Sequence, residues 1–160
     1  MIALAWIVII ALASLAYFEW GERQRVPNQH IGNTAGNGKV SIELQANRQH
    51  QYLATGEVND MPAVFIVDTG ATNVVIPQQL AQQAELRAGR ASKAMTANGL
   101  ITVYDTIIPT LSIGPLVMHD VVASINPAMQ GRDVLLGMSA LKDMEIQQSS
   151  GTHTIEQNFN

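Results

Sequence analysis

A single carboxylate between two apolar runs constrains this chain more than any other feature. In the stretch FIVDTGATNVVIP, residues 65–77, Asp68 lies between the apolar runs 65–67 and 74–76. Short apolar runs of this kind are typical of buried strands, so Asp68 is expected to be buried or nearly so. Burying a carboxylate is costly unless it gains a partner or a proton. The sequence therefore predicts a partner for Asp68, and the identity of that partner decides what the site does.

The rest of the chain body shows the pattern of a β protein. Apolar residues alternate with polar ones from Val40 to Leu44, which is the period of a half-buried strand. Asn98-Gly99 lies within Ser92 to Pro109 and predicts a hairpin with these two residues in a type I′ turn. Further short strands are predicted over 52–58, 63–68, 110–113, 116–125 and 134–137, a strand pair over 145–148 and 153–157, and short helices over 77–86 and 138–144. Together these elements predict a mainly β barrel or sandwich with one or two short helices.

The N-terminal segment has no charged side chain over residues 1–18. As a helix this segment would be roughly 27 Å long, close to the thickness of the hydrocarbon core of a bilayer. The sequence therefore predicts a single transmembrane helix over residues 1–20. A cleaved signal peptide is the main alternative, but it would need a positive charge beyond the N-terminal amine. A buried core helix is a further alternative, and it would have to be apolar on every side.

The remaining chain divides into a linker and one domain. Residues 21–38 are polar and contain several glycines and asparagines, which predicts a flexible linker. Residues 39–160 carry the strand pattern and have the size of one small domain. The predicted organisation is therefore an anchor over 1–20, a linker over 21–38 and a folded domain over 39–160.

Charge and composition exclude several classes of function. The net charge is −4, and no basic stretch of the kind that binds nucleic acid is present. The chain has no cysteine, which excludes disulfides and cysteine-ligated metals. His50, His119 and His153 are widely spaced, and no pair has metal-ligand spacing. The sequence thus predicts no metal, no cofactor and no nucleic-acid partner.

Two facing carboxylates can act as a hydrolytic catalyst. At about 3 Å separation they cannot both ionise, so they share one proton. The ionised member can take a proton from a bound water while the protonated member donates a hydrogen bond to the carbonyl under attack. In an Asp-Thr-Gly sequence, the glycine permits a tight turn and the threonine hydroxyl can hold the loop by hydrogen bonding.

In its motifs and their order, the chain resembles the retropepsin-like aspartic proteases, and within them the membrane-anchored bacterial branch. The resemblance covers most of 53–155 and implies a retropepsin-like closed β barrel. It assigns catalysis to Asp68 and support of the active-site loop to Thr69, Gly70, Ala71 and Thr72. It also assigns a flap that covers the substrate to Thr96, Ala97, Asn98 and Gly99, and structural support beneath the loop to Leu135, Leu136 and Gly137.

The resemblance also implies a partner for Asp68. The chain contains one Asp-Thr-Gly sequence, so the second carboxylate is expected from Asp68 of a second copy in a C2 homodimer. The implied activity is that of an aspartic endopeptidase on extended peptides, without a cofactor. The chain continues past its second short helix to Asn160, which leaves the arrangement of the terminal strands open. The resemblance favours a protease domain outside the cytoplasm, whereas Arg23 and Arg25 after the apolar segment favour the opposite orientation.

Three other interpretations of the Asp68 region stay open at this point. The residues Asp-Thr-Gly favour a turn, so Asp68 could simply cap the end of a strand without a catalytic role. An aspartyl-phosphate nucleophile is a second alternative, although no obvious magnesium ligands accompany it. A protease-like module that dimerises or binds peptides without cleaving them is a third.

Overall fold

The computed structural model describes residues 2–29, 31, 34–36, 39–96 and 99–158. Within them, short strands dominate and form two sheets. The helices are α1 (Ile2–Arg25), α2 (Gln78–Gln83) and α3 (Met138–Leu141), and the strands are β1 (Thr34–Gly36), β2 (Lys39–Gln45), β3 (Leu53–Val58), β4 (Met61–Val67), β5 (Val74–Pro77), β6 (Ala91–Thr96), β7 (Gly99–Ile113), β8 (Leu116–Asn126), β9 (Asp133–Leu136), β10 (Glu145–Ser149) and β11 (Thr152–Asn158).

The larger sheet closes into a barrel, which confirms the predicted mainly β fold. Its strand order is β3-β4-β9-β5-β8-β7, and β7 pairs back with β3, while β6 extends the sheet from β7. At this seam, a Cβ on Gly56 would lie 2.1 Å from the carbonyl oxygen of Ser112, so only glycine fits there. The barrel interior is filled by fully buried side chains that include Phe65, Ile76 and Leu136. Closure leaves the paired barrel strands without a free edge at this seam.

The smaller sheet is built from the two ends of the chain body, with the order β1-β2-β11-β10. The predicted pairing of residues 145–148 with 153–157 is confirmed by the hairpin of β10 and β11. Ser150 and Gly151 form its two-residue loop and have φ of 47° and 83°. Positive φ at both loop positions is the geometry of a type I′ turn, which matches the twist of the two strands. Strand β10 is therefore the end strand of this sheet.

Several element boundaries differ from the sequence prediction, such as the end of α3 at Leu141 instead of residue 144, and two of the differences have a clear local cause. Helix α2 covers only Gln78–Gln83, because Pro77 precedes it in an extended conformation and Glu85 has a φ of 55° after it. Strand β7 continues through Pro109, where a break was predicted. The ladder between β7 and β8 omits Pro109 and its counterpart Asp120, which has a φ of 52°. A local distortion of β8 thus accommodates a residue that has no N–H to donate.

Helix α1 occupies the segment in which a transmembrane helix was predicted. Its last turns carry Glu19, Glu22 and Arg25. Within the part of the chain that the structure describes, no helix is long and apolar enough to cross a membrane. The transmembrane helix predicted for residues 1–20 is therefore not supported, and the location of the folded domain outside the cytoplasm stays a prediction.

Part of the predicted flexible linker is packed against the body. Val26 and Asn28 are buried. The Asn28 amide nitrogen donates to the carbonyl oxygens of Gln45 at 2.9 Å and Leu53 at 2.6 Å, and the Gln45 N–H donates to the Asn28 amide oxygen at 2.8 Å. This side chain joins β2 to β3 and thereby fixes the chain segment that precedes the domain. The division at residues 21 and 39 otherwise stays a prediction.

Candidate active site

The loop that carries Asp68 begins directly at the end of β4. The backbone N–H of Asp68 donates to the carbonyl oxygen of Leu136 at 3.1 Å, which ties the start of the loop to the neighbouring strand β9. The N–H of Ala71 donates to the Asp68 carbonyl oxygen at 3.2 Å, and the N–H of Gly70 donates to a carboxylate oxygen of Asp68 at 3.0 Å. The tight turn predicted for Asp-Thr-Gly is therefore present, and it holds the carboxylate in one orientation.

Residues 135–137, to which the family resemblance assigns structural support, lie next to this loop. Strand β9 runs parallel to β4, with Leu135 beside Ile66 and Leu136 beside Val67. A Cβ on Gly137 would lie 2.3 Å from the carbonyl oxygen of Asn73. Such a distance is impossible for any side chain, so glycine is required where the strand passes under the loop.

The first turn of α3 holds the far side of the loop through its backbone. The N–H of Met138 donates to the carbonyl oxygen of Ala71 at 2.8 Å, and the N–H of Ser139 donates to that of Thr72 at 2.9 Å. These are N–H groups that the helix itself leaves unpaired. The loop from Asp68 to Asn73 is consequently fixed at both ends by β9 and α3.

Ser139 is a supporting residue that the sequence analysis did not assign to the site. Its hydroxyl accepts a hydrogen bond from the N–H of Val74 at 2.9 Å and donates one to the carbonyl oxygen of Val122 at 2.7 Å. The hydroxyl thereby connects the end of the loop to β8. A serine in the first turn of a short helix was the available signal, because serine in such positions often bonds to backbone groups.

We expect Ser139→Ala to lower both stability and peptide cleavage. The N–H of Val74, a fully buried residue, would lose its partner, which costs about 1–3 kcal/mol of unfolding free energy. Urea denaturation measures this loss, and kcat/KM for a cleaved peptide measures the effect on the site. Ser14→Ala, at an exposed position of α1, is the matched control and should change neither. An unchanged stability in Ser139→Ala would contradict the assigned contacts.

The Asp68 carboxylate is less buried than its flanking sequence predicts. Asp68 is half-buried, and Thr69, Gly70 and Thr72 are exposed. Phe65, Val74 and Ile76 of the apolar runs are buried in the barrel, but the loop between the two runs emerges at the end of β4 and is open on one side. Within the described residues, the only hydrogen bond to this carboxylate comes from the N–H of Gly70. The partner carboxylate predicted for Asp68 is thus not found in the described part of its own chain.

The predicted flap corresponds to the hairpin of β6 and β7. Thr96 pairs with Gly99, and the Thr96 hydroxyl donates to the Gly99 carbonyl oxygen at 2.8 Å. Gly99 is therefore a ladder residue of β7 and not a loop residue as the turn prediction had it. Ala97 and Asn98 lie outside the described residues. Gly99 has a φ of 107°, a conformation that favours glycine.

A groove of about 800 Å³ lies between the segment 85–89, which follows α2, and residues 105–109 of β7, and it reaches the end of the active-site loop at Asn73. Asn73 contributes from the loop side, and Ile107 and Val122 contribute exposed apolar side chains from β7 and β8. Arg87 and Asp105 add charge at the same groove. A mainly apolar groove with a few polar groups is suited to binding an extended peptide or another small ligand.

Comparison with two solved protease structures shows that this chain shares their fold. A retropepsin-like aspartic protease from Rickettsia conorii superimposes with a TM-score of 0.61 over 80% of this chain and 96% of its own length, at 19% identity. The EIAV protease in complex with the inhibitor HBY-793 superimposes with a TM-score of 0.50 over 62% of this chain and 93% of its own, at 17% identity. At these identities the likeness establishes the fold, which is that of the retropepsin-like proteases.

Sequence comparison gives one curated relative and a family. The relative is a Sinorhizobium sp. protein named "Uncharacterized protein in cobV 5′region", which is 26% identical over 126 residues. These residues make up 77% of this chain, and the match spans about half, 54%, of that relative's length. The model of the gag-polyprotein putative aspartyl protease family matches residues 54–143, which include the Asp68 loop and Leu135–Gly137. The chain therefore belongs to the gag-polyprotein putative aspartyl protease family.

Proposed function

We propose that this protein is an aspartic endopeptidase whose active site contains Asp68 from each of two copies of the chain. The family and the fold support this activity class. The observation that carries the proposal is the state of the Asp68 carboxylate. It is held by the Gly70 N–H on a loop fixed by β9 and α3, and it is open towards solvent without a partner in the described part of its own chain.

The proposed reaction is general acid–base hydrolysis of a peptide bond. Two Asp68 carboxylates close together hold one proton between them. The ionised carboxylate takes a proton from a water placed between the pair, and this water attacks the scissile carbonyl carbon. The protonated carboxyl gives its proton to the carbonyl oxygen, which forms a tetrahedral diol. When the C–N bond breaks, the first carboxyl passes the proton it took from water to the leaving nitrogen, and the second carboxyl takes a proton back from the diol hydroxyl, so the pair again holds one proton. The bond from Gly70 fixes one carboxylate oxygen, so the two acids need little reorganisation before the attack.

The hairpin of β6 and β7 offers a second surface to which a peptide substrate can bind. Met95 and Leu100 form a cross-strand pair next to its tip and are 79% and 61% exposed. These two side chains offer apolar contacts to a peptide covered by the hairpin, and Ile107 and Val122 offer separate apolar contacts at the groove. The proposed substrate is thus an extended peptide with apolar side chains near the cleaved bond. The same surface would serve a module that binds peptides without cleaving them, and cleavage is what separates the two.

The experiment is cleavage of a mixed peptide library by the full-length chain, with products identified by mass spectrometry. A pair of carboxylates that shares one proton works best in mildly acidic solution, so we expect a maximum of the rate between about pH 4 and 7. Cut sites should be enriched in apolar residues. A rate that rises steadily into the alkaline range would contradict the shared-proton pair. Peptide binding without cleavage at any pH would favour the non-catalytic module.

A further inference from the structure

A stacked pair of aromatic rings joins the smaller sheet to the barrel. The rings belong to His153 of β11 and to Tyr52, which directly precedes β3, and their centroids lie 3.8 Å apart with the planes 11° from parallel. Both residues are buried, with exposed fractions of 8% for His153 and 9% for Tyr52. The Tyr52 hydroxyl also accepts a hydrogen bond from the Gln148 amide of β10 at 3.2 Å. Tyr52 is thus held from the side of the smaller sheet by two contacts.

Tyr52 is connected to the active-site loop through its backbone. Its carbonyl oxygen accepts a hydrogen bond from the N–H of Val67 at 3.0 Å. Val67 is the last residue of β4 and immediately precedes Asp68, whose own N–H donates to the carbonyl oxygen of Leu136. The end of β4 is therefore fixed by Tyr52 and by β9. A displacement of Tyr52 would remove one of these two attachments.

The imidazole of His153 has a nitrogen without a hydrogen-bond partner. Its Nδ1 atom is buried and forms no hydrogen bond with any described residue. Buried N–H groups without an acceptor are rarer than unpaired acceptors, so the neutral ring is expected to carry its proton on Nε2. Charging the ring places the second proton on Nδ1. Protonation would therefore create a charged, buried N–H that has no acceptor.

The smaller sheet offers no counter-charge to this ring. Across the ladder, His153 lies beside Leu44 of β2 and Gln148 of β10, so these side chains share its face. Because side chains alternate along a strand, the charged residues of the three strands lie on the other face. They are Lys39, Glu43, Glu145 and Glu156, and Lys39 pairs there with Glu145 at 3.4 Å and with Glu156 at 3.5 Å.

The other elements near the ring also lack a charged group in contact with it. Asp68 is open towards solvent at its loop, where its carboxylate accepts from the Gly70 N–H. The charged or titratable residues of the turn before Tyr52 and of the β8 segment that follows Met118 are exposed: Arg48, His50, His119 and Asp120. Among the described residues, Tyr52 is thus the titratable group in contact with His153.

The folded chain consequently favours the neutral ring. Burial lowers the pKa of His153 below its usual value of 6.5. A charged ring stacked on tyrosine gains a cation–π attraction, but this attraction does not supply the acceptor that a proton on Nδ1 needs. Because the unfolded chain then binds this proton more readily than the folded one, stability is full above pH 6.5 and falls as the pH drops towards the lowered pKa.

We propose that His153 is a pH-sensitive positioning residue, which holds Tyr52 and through it the Asp68 loop only while its imidazole is neutral. Protonation breaks the stack, releases Tyr52 and loosens the end of β4. The effect on cleavage rests on the proposed function, whereas the effect on stability does not. The chain should therefore work in the upper part of the mildly acidic range and be inactivated reversibly below it.

The first test compares wild type with His153→Phe, which keeps an aromatic ring against Tyr52 but cannot take up a proton. Thermal unfolding of the full-length proteins is measured between about pH 5 and 8, the range in which a histidine changes its charge. We expect the Tm of wild type to fall in acid by several degrees more than that of His153→Phe. His119→Phe, the same substitution at an exposed position of β8, should keep the wild-type dependence. The same pH dependence of Tm in wild type and His153→Phe would overturn the proposal.

The second test uses wild-type protein, so it does not depend on the folding of a variant. NMR of the chain labelled with ¹⁵N-histidine reports the charge and the tautomer of each ring, and replacing the other three histidines in turn identifies the His153 signals. We expect the His153 ring to carry its proton on Nε2 and to be neutral at about pH 6.5, where an ordinary imidazole is half charged. A proton on Nδ1 of the neutral ring, or a half-charged ring at this pH, would contradict the switch.

Peptide cleavage separates this inference from the proposed function. The acid side of the pH profile of kcat/KM should move to lower pH in His153→Phe, which loss of packing alone would not cause. If wild type cleaves peptides and this acid side is the same in both proteins, the positioning role is wrong and the proposed function stands. If Tm and NMR behave as expected but no form of the protein cleaves any peptide, the effect of His153 on stability stands and the proposed function is wrong.

Discussion

Replacing Asp68 by asparagine should abolish peptide cleavage while leaving the fold intact. An amide cannot accept the proton of the attacking water, so we expect kcat/KM to fall by about 10³-fold or more. The asparagine side-chain oxygen can still accept the hydrogen bond that the N–H of Gly70 now donates to the carboxylate. The expected loss is therefore chemical, and the free energy of unfolding should change by less than about 0.5 kcal/mol.

The matched control for this variant is Asp60→Asn. Asp60 is exposed in the turn between β3 and β4 and has a φ of 65°, a conformation that asparagine tolerates. This variant should cleave peptides at the wild-type rate. Wild type, Asp68→Asn and Asp60→Asn are compared by steady-state kinetics on one identified peptide and by thermal unfolding. Retained cleavage by Asp68→Asn would show that the carboxylate is not the catalytic base.

Gly137→Ala is expected to have the largest combined effect on stability and activity. The added methyl group would lie 2.3 Å from the carbonyl oxygen of Asn73 and 2.7 Å from that of Ala71. Both atoms belong to the backbone of the active-site loop, so no side-chain rotation can relieve the overlap. Either β9 or the loop must move, at a cost of about 3 kcal/mol. Because the same loop holds Asp68, cleavage should fall together with stability.

Gly21→Ala is the control for the Gly137 prediction. No atom lies within 4 Å of a Cβ built on Gly21, which is part of α1. Alanine there should be neutral or slightly stabilising, since it favours a helix over glycine. Urea denaturation gives the two free energies of unfolding, and the peptide assay gives kcat/KM. A Gly137→Ala protein as stable and active as Gly21→Ala would contradict the close approach of β9 to the loop.

Local patterns were sufficient to predict a mainly β barrel or sandwich and the C-terminal hairpin, and the family resemblance supplied the closed barrel. Alternation of apolar and polar residues gave strands close to those observed, and the pairing of 145–148 with 153–157 followed from a short polar turn between them. The two motifs Asp68-Thr69-Gly70 and Leu135-Leu136-Gly137 lie next to each other in the structure, and the roles that the resemblance assigns to them stay predictions. Such features depend on residues near each other in sequence or on motifs with a fixed geometry.

Features that depend on three-dimensional surroundings were not predicted. The apolar residues on either side of the loop suggested that Asp68 is buried. Their burial in the barrel does not determine how exposed the loop between them is, and Asp68 is only half-buried. Gly99 was predicted as a turn residue of the flap hairpin, but it pairs with Thr96 within the ladder, because the register of β6 and β7 is set along the whole of both strands. Ser139 was missed because its two partners are distant in sequence. The packing of Asn28 against β2 and β3 was not predicted either, because its partners Gln45 and Leu53 are also distant in sequence.

The most direct test of the central claim is whether one active site needs Asp68 from two chains. Wild type and Asp68→Asn are unfolded and refolded together at constant total protein, with the wild-type fraction varied. If both carboxylates of a pair are needed, cleavage falls with the square of this fraction, to about a quarter in an equal mixture. If each chain acts alone, cleavage falls in proportion, to about half. The square dependence is the result we expect, and a linear dependence would contradict the shared site.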